Sequence, residues 1–246
     1  MRITAGRLLA VLLLVALVVV VIVVIRRKQA ESYTLPPTAP APLSSGRPIS
    51  VGYRGCPAEG NGGDIPFNRL KNRIDSTAWT PTPFADVIRL GWPRAIEKRW
   101  RSEWGLINRR LIGRDEGRGV AVEGYFAGGK EASPEAVNCH RLSDSSRDWH
   151  IWLVGTPGGA RSRSIVVEAT PAVRERHARW DIETIRALTR QRARVRVSGW
   201  LLMDPEHPDQ LNRTRGTLWE IHPVMAIEVD DGGTWVRLDD YAFRFR

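Results

Sequence analysis

Three side chains in the second half of the chain could do acid–base chemistry: His150, Glu220 and His222. Glu220 and His222 are two residues apart, so in a strand they project from the same face. A carboxylate beside an imidazole can move a proton, and both groups also bind zinc. One hypothesis is therefore a metal-assisted hydrolase. Because neither a Gly-rich phosphate loop nor a G-x-S-x-G motif is present, no catalytic residue and no cofactor are assigned.

A second set combines aromatic and basic side chains. Alternation along the predicted strands places them outward, together with the three acid–base residues. Aromatic rings stack on bases or sugars, while Arg neutralises phosphate or carboxylate groups. The pattern predicts a surface that binds single-stranded nucleic acid or an acidic glycan. The alternative is that residues before 119 cover this surface and make its Trp residues part of a core. The predicted ligand-binding residues are His150, Trp152, Arg194, Arg196, Trp200, Glu220 and His222.

Residues 119–246 hold this whole set and read as five strands with one helix. Alternating and β-branched runs predict strands at 120–126, 149–154, 164–169, 195–203 and 218–229. A helix at 181–190, with Asp181 as its cap, falls between the third and fourth strands. Gly124 and Gly199 lie inside strands, which predicts the bends that a small barrel needs in order to close.

Two connections between these strands are long enough to suggest a function. Residues 128–148 join the first two strands, and residues 204–215 join the last two. The first loop contains Cys139, His140 and Asp144. A further alternative therefore groups these three with His150 and His222 as a metal site, although their spacing matches no compact zinc motif.

The order of elements, the placement of the helix and the glycine-bent strands resemble the OB-fold superfamily. The E-I-H-P-V stretch of Glu220–Val224, at the start of the last strand, is similar to bacterial OB-like domains of undefined function. The resemblance covers residues 119–238. It implies a mainly β fold with helices, built on a five-stranded Greek-key barrel (β-β-β-α-β-β). It also implies a ligand site on the second and third strands between the two long loops, and it leaves the ligand open.

The N-terminus predicts a membrane anchor. Leu8–Ile25 is an unbroken apolar run, about 27 Å long as a helix, which is just enough to cross a bilayer core. Residues 1–28 are therefore interpreted as a single-pass anchor, with a cleaved signal peptide as the alternative. Residues 29–50 form a Pro-rich linker. Positive charges balance on the two flanks of the run, and the linker favours an extracytoplasmic domain.

Residues 51–118 are predicted to be a basic, partly helical extension. The longest expected helix, Arg94–Leu111, carries one apolar stripe of Trp100, Trp104, Ile107 and Leu111. That helix would pack on the barrel or lie on a membrane surface.

Charge and cysteine content leave the partner open. A net charge of +10 attracts anionic partners such as nucleic acid or acidic polysaccharide, unless Arg is merely the preferred surface cation. Another envelope protein is a third possible partner, which would make the domain a scaffold. Cys56 and Cys139 would form a disulfide outside the cytoplasm or stay as two free thiols.

Overall fold

A computed structural model describes residues 48–243 of the protein. Among these residues, none of the helices combines the length and the apolar character that crossing a bilayer requires. The predicted anchor at residues 8–25 lies outside the described residues, as does the Pro-rich linker up to residue 47.

The described residues are mainly β-structure, as predicted. Most helices are short and precede or connect the long strands. In chain order the elements are α1 (Ile65–Lys71), β1 (Thr80–Pro81), α2 (Phe84–Arg89), α3 (Leu106–Ile112), β2 (Gly119–Glu131), β3 (Trp149–Val154), β4 (Ile165–Ala169), α4 (Pro171–Arg174), α5 (Ile182–Gln191), β5 (Arg194–Met203), β6 (Trp219–Asp231) and β7 (Thr234–Arg237).

Five of the strands close into a barrel. Around the ring the order is β2, β3, β4, β6 and β5, and β5 pairs back onto β2. The β4–β6 pair is parallel, whereas the other four pairs of the ring are antiparallel. The short strands β1 and β7 pair with β2 and β6. A closed, mixed five-stranded barrel with this order is compatible with an OB-like fold.

Alternate residues of the strands fill the barrel, as the sequence pattern predicts. On β3, for example, Trp149, Ile151 and Leu153 belong to the core. The helix α5 adds Ile185 and Leu188 to the same core. Its N-cap is Asp181, whose carboxylate accepts a hydrogen bond from the Thr184 amide at 2.7 Å. This cap fixes where the helix begins.

Gly199 bends β5 at the position that the sequence predicts. The β5–β6 register shifts on both sides of this residue. A Cβ at Gly199 would lie 2.3 Å from the Pro223 carbonyl oxygen and 2.7 Å from Cγ2 of Ile221. The close approach of the two strands therefore requires a residue without a side chain.

The predicted helix Arg94–Leu111 is wrong. This segment forms two short 3₁₀ turns, Arg94–Ile96 and Arg101–Glu103, followed by α3. Tertiary contacts explain the difference: Lys98 has φ +57° and its amide donates to the Pro205 carbonyl at 2.7 Å. Contacts with the β5–β6 loop therefore override the helical periodicity.

Two other boundaries differ from prediction. The strand β2 is longer than the predicted 120–126, because it continues through an irregularity between Phe126 and Gly129. The strand β7 lies beyond the five predicted strands and follows a turn at Gly232 and Gly233.

The extension packs against the barrel and is tied to it covalently. Cys56 and Cys139 form a disulfide with a Cα–Cα distance of 5.8 Å, linking the extension to the β2–β3 loop. The bond joins residues 83 positions apart. A loop of that size restricts the unfolded chain enough to contribute about 4–5 kcal/mol in the chain-entropy estimate. The extension is therefore part of the folded unit.

We expect Gly199→Ala to lower the free energy of unfolding by roughly 1–3 kcal/mol, because the new methyl group meets the Pro223 carbonyl and backbone must move. Urea unfolding followed by Trp fluorescence measures the change. Gly91→Ala is the matched control, since a Cβ there meets no atom within 4 Å. Equal stability of the two variants would contradict the close-approach account.

Candidate functional site

A cleft of about 390 Å³ opens on the outer face of β3, β4 and β6. It lies between the β2–β3 loop (residues 132–148) and the β5–β6 loop (residues 204–218), and Lys71 of α1 closes one side. The OB resemblance implies a ligand site at this place. The cleft is lined by Lys71, Lys130, Ala132, Ser133, Glu135, His150, Trp152, Glu168, Asp204, His207, Asp209, Gln210, Arg213, Thr214 and Glu220.

Beneath the cleft lies a network of ion pairs, here called the charge cluster. It contains five acidic and five basic side chains, most of them buried. Because an isolated buried charge is very costly, the two signs must be matched closely. The members are Glu135, Asp148, Glu168, Asp204 and Glu220 with Lys71, His150, His207, Arg215 and His222.

Glu168 is the centre of one half of the charge cluster. It projects outward from β4 and contacts Nδ1 of His150 at 2.9 Å and Nδ1 of His222 at 3.2 Å. Burial alone would raise the pKa of Glu168, but the hydrogen bond from His150 and the charge of His222 hold it well below its usual range. The carboxylate is therefore ionised at neutral pH.

His222 is completely buried behind Glu168. Its Nε2 lies 3.4 Å from Oδ2 of Asp148, and its Nδ1 also lies 3.7 Å from Glu220. Burial by itself would lower the pKa of His222, but the neighbouring carboxylates of Asp148, Glu220 and Glu168 raise it to about 10. The ring is therefore an imidazolium at neutral pH, with both nitrogens protonated.

Arg215 organises the other half of the charge cluster. Its guanidinium, 1% exposed, reaches Oδ2 of Asp204 at 2.7 Å and Oε1 of Glu220 at 2.8 Å. Asp204 also contacts Nδ1 of His207 at 2.7 Å and accepts the Glu206 amide at 2.8 Å. These bonds fix the start of the β5–β6 loop. Burial opposes ionisation of Asp204, but His207 and Arg215 outweigh it and lower its pKa, while the bond to Asp204 raises the pKa of His207.

Lys71 brings the extension into the charge cluster. Its Nζ lies 3.0 Å from Oε2 of Glu135, and only 7% of its side chain is exposed. Burial alone would lower the pKa of Lys71, but the charges of Glu135 and Glu168 raise it well above its usual range. The ammonium group therefore stays charged, and the barrel face depends on a cation from outside the barrel.

Comparisons with models of protein families, with curated proteins and with solved structures found no match to this chain. The site must therefore be interpreted from its own geometry.

The structure brings four of the seven predicted ligand-binding residues together. His150, Trp152 and Glu220 line the cleft, and His222 lies directly behind Glu168. Trp152 is 6% exposed, and its indole Nε1 has no hydrogen-bond partner within residues 48–243. The guanidinium of Arg161 lies 4.0 Å from the centre of its ring.

The other three predicted residues lie elsewhere. Trp200 is 1% exposed because the extension covers it: Trp79 packs edge-on against its ring, and the Asp75 carbonyl accepts its Nε1–H at 3.0 Å. This is the alternative that the sequence left open for the Trp residues. Arg194 and Arg196 form ion pairs with neighbouring acids and lie over the ring of Trp235. No single surface therefore carries the predicted Trp and Arg set.

The metal site suggested around Cys139 is not assembled. Cys139 is in the disulfide, Asp144 pairs with Arg147, and Nε2 of His140 lies 3.2 Å from the Asn61 carbonyl oxygen. A different buried group, Asp148, Glu168 and His222, has one potential ligand atom from each residue within 4.8 Å of the others. A metal there would have to displace the proton that raises the charge of His222.

Sequence reasoning missed much of the charge cluster. The usable signals were weak: Glu168 is an acid inside the apolar run I-V-V-E-A, and Asp204 and His207 share a spacing of three residues. Neither signal distinguishes a buried ion pair from a solvated side chain. The missed members are Lys71, Glu135, Asp148, Glu168, Asp204, His207 and Arg215.

We expect His222 to be doubly protonated at pH 8, because three carboxylates surround it. Its folded pKa of about 10 exceeds its ordinary 6.5. Its contribution to stability is therefore complete below about pH 6.5 and is lost as pH rises through 10. NMR of the imidazole nitrogens, assigned with His150→Gln and His207→Gln, measures the protonation state. A neutral His222 ring at pH 8 would contradict the imidazolium assignment.

Proposed function

We propose that the protein is an envelope-anchored binding module whose barrel cleft holds an acidic glycan. The domain is assigned to the OB type, with the ligand on the outer face of its second, third and fifth strands. Residues 8–25 anchor the chain in a membrane, and the domain lies outside the cytoplasm. The Cys56–Cys139 disulfide supports that compartment, since such bonds persist mainly in oxidising surroundings.

Charge balance in the cleft is the observation that carries this proposal. Every carboxylate that lines the cleft has a basic partner, including Asp209, which pairs with Lys98 at 2.8 Å. Lys130 and Arg213 also line the cleft, are exposed and have no acidic partner among residues 48–243. Two uncompensated cations at the mouth of a cleft attract an anionic ligand.

The uncharged lining favours a sugar over a polyphosphate. Ser133, Gln210 and Thr214 offer hydroxyl and amide groups that can bind sugar hydroxyls. Trp152 offers an apolar wall and an indole N–H that a ligand oxygen could accept. Single-stranded nucleic acid needs a row of cations and several stacking rings, whereas Trp200, Arg194 and Arg196 are engaged elsewhere.

We expect Arg213→Glu and Lys130→Glu each to weaken binding of galacturonate or hyaluronan oligosaccharides about tenfold or more. Each change removes a charge-assisted hydrogen bond worth about 1.5–3 kcal/mol. Isothermal titration calorimetry with the full chain in detergent measures the affinity, alongside neutral cello-oligosaccharides and oligothymidylate as comparison ligands.

Arg190→Glu is the matched control, since Arg190 is an exposed cation on α5 and does not line the cleft. If oligothymidylate binds more tightly than every glycan tested, the ligand is nucleic acid and the glycan proposal is wrong. Equal losses in the Arg190 and Arg213 variants would show that only net charge matters and would overturn the cleft assignment.

A second candidate, the metal-assisted hydrolase, has one observation in its favour. His150 and His222 contact Glu168 at 2.9 Å and 3.2 Å, and Glu220 lies 3.7 Å from Nδ1 of His222. Burial and the charge of Asp204 raise the pKa of Glu220, while that of Glu168 is lowered. The raised pKa suits Glu220 to act as a proton donor, whereas the ionised Glu168 suits a metal ligand. Asp148, Glu168 and His222 would hold the metal, which would activate water when bound.

The hydrolase predicts one zinc per chain in protein purified without chelator, with less metal in Asp148→Asn. It also predicts cleavage of the glycan that binds, lost in Glu168→Gln and after chelation. Elemental analysis and product chromatography measure the two quantities. Metal-free protein that binds glycan without cleaving it would support the binding module and exclude the hydrolase.

A further inference from the structure

An exposed apolar surface surrounds α3, and none of its side chains lines the cleft. Of the seven large apolar side chains exposed within residues 48–243, four lie between residues 100 and 111. Leu106 and Ile107 are 73% and 75% exposed, and Trp100 is 54% exposed. Leu111 follows Ile107 by four residues and so lies on the same side of the helix.

The start of α1 extends this surface. The Arg101 amide donates to Oδ2 of Asp64 at 2.6 Å. Ile65 follows Asp64 and Trp100 precedes Arg101, so this bond joins the two chain segments that carry them. Pro66 shares a groove of about 240 Å³ with residues of α3. We call the group of Ile65, Trp100, Leu106, Ile107 and Leu111 the apolar surface. A concentration of exposed apolar side chains in one part of a structure indicates an interaction site.

The charges around the apolar surface are strongly one-sided. Its acids are all engaged: Glu97 accepts from Trp92, Glu103 from the Trp100 amide, and Asp115 and Glu116 pair with arginines. Four exposed arginine side chains have no partner among residues 48–243, and one of them, Arg110, follows Leu106 by one helical turn. These basic side chains are Arg94, Arg99, Arg110 and Arg114.

We infer that the apolar surface rests on the anionic headgroups of a lipid bilayer. Apolar side chains that include a Trp, bordered by uncompensated Arg, match the interface between headgroups and acyl chains. The predicted anchor would also keep the domain near a membrane. Residues 26–47 separate the described domain from the apolar run of residues 8–25, so the proposed anchor would tether the domain to a membrane. This inference does not depend on what the cleft binds.

The test uses the full chain in vesicles of equal parts phosphatidylcholine and phosphatidylglycerol. An environment-sensitive fluorophore is attached to Leu106→Cys, without reductant, so that the Cys56–Cys139 disulfide stays intact. The control carries the fluorophore on Leu142→Cys, at an 80% exposed position in the β2–β3 loop. We expect emission from position 106 to shift to shorter wavelength and to be quenched by lipids brominated on their acyl chains, with neither effect at position 142.

Charge dependence completes the test. Raising NaCl from about 0.1 M to about 1 M shortens the Debye length from about 10 Å to 3 Å and should reduce the quenching. Arg110→Glu combined with Arg114→Glu should reduce it too, whereas Arg190→Glu should not. Equal quenching at positions 106 and 142 would overturn the inference. A blue shift without quenching by brominated lipid would also overturn it, because the surface would then be covered by protein.

Hydrogen exchange of the unlabelled chain tests the same inference without any substitution, so it does not depend on whether a labelled variant folds. Amides of residues 106–112 should exchange more slowly in the anionic vesicles than in phosphatidylcholine alone. Identical exchange in both vesicles would contradict contact with anionic lipid.

Discussion

Matching of buried charge is the constraint on which the rest of this structure depends. Five acidic side chains meet beside the barrel, most of them shielded from water, and each lies next to a basic group. The basic groups come from α1, β3, β6 and the β5–β6 loop. Each of these segments must therefore be in place before the others are stable. Removing one partner would leave an uncompensated buried charge, which typically costs 3–5 kcal/mol.

The same matching limits the negative charge of the cleft, although many acids line it. Arg215 and His222 lie beneath the surface and neutralise the floor, so the floor itself presents little net charge. Of the charged side chains that line the cleft, Lys130 and Arg213 are the two without an opposite charge among residues 48–243. A floor held by many ion pairs is also rigid, and a rigid site loses little entropy when a ligand binds.

The sequence predicts the barrel well because strand alternation and glycine bends are local signals. Trp149, Ile151 and Leu153 fill the core as their spacing predicts, and Gly199 bends β5. The helix predicted at Arg94–Leu111 failed because Lys98 bonds to Pro205, a contact distant in sequence. Trp200 could not be placed for the same reason: alternation says that it points out of the barrel, but not that Trp79 covers it. Only the cleft's position between two long loops was within reach of sequence reasoning, since the charge cluster joins residues from widely separated segments.

Lys71 has a consequence for what counts as a domain in this protein. By topology the barrel begins at Gly119, and a boundary drawn there would leave a complete ring of strands. The charges of that ring would not be balanced, however. Glu135 would lose the Lys71 ammonium group, which lies 3.0 Å away, and Glu168 would lose a nearby positive charge. The smallest unit that pairs these charges therefore includes α1 as well as the strands of the barrel. An excised barrel would expose Trp200 and leave Glu135 without its lysine, whereas the intact chain covers the ring and pairs the carboxylate.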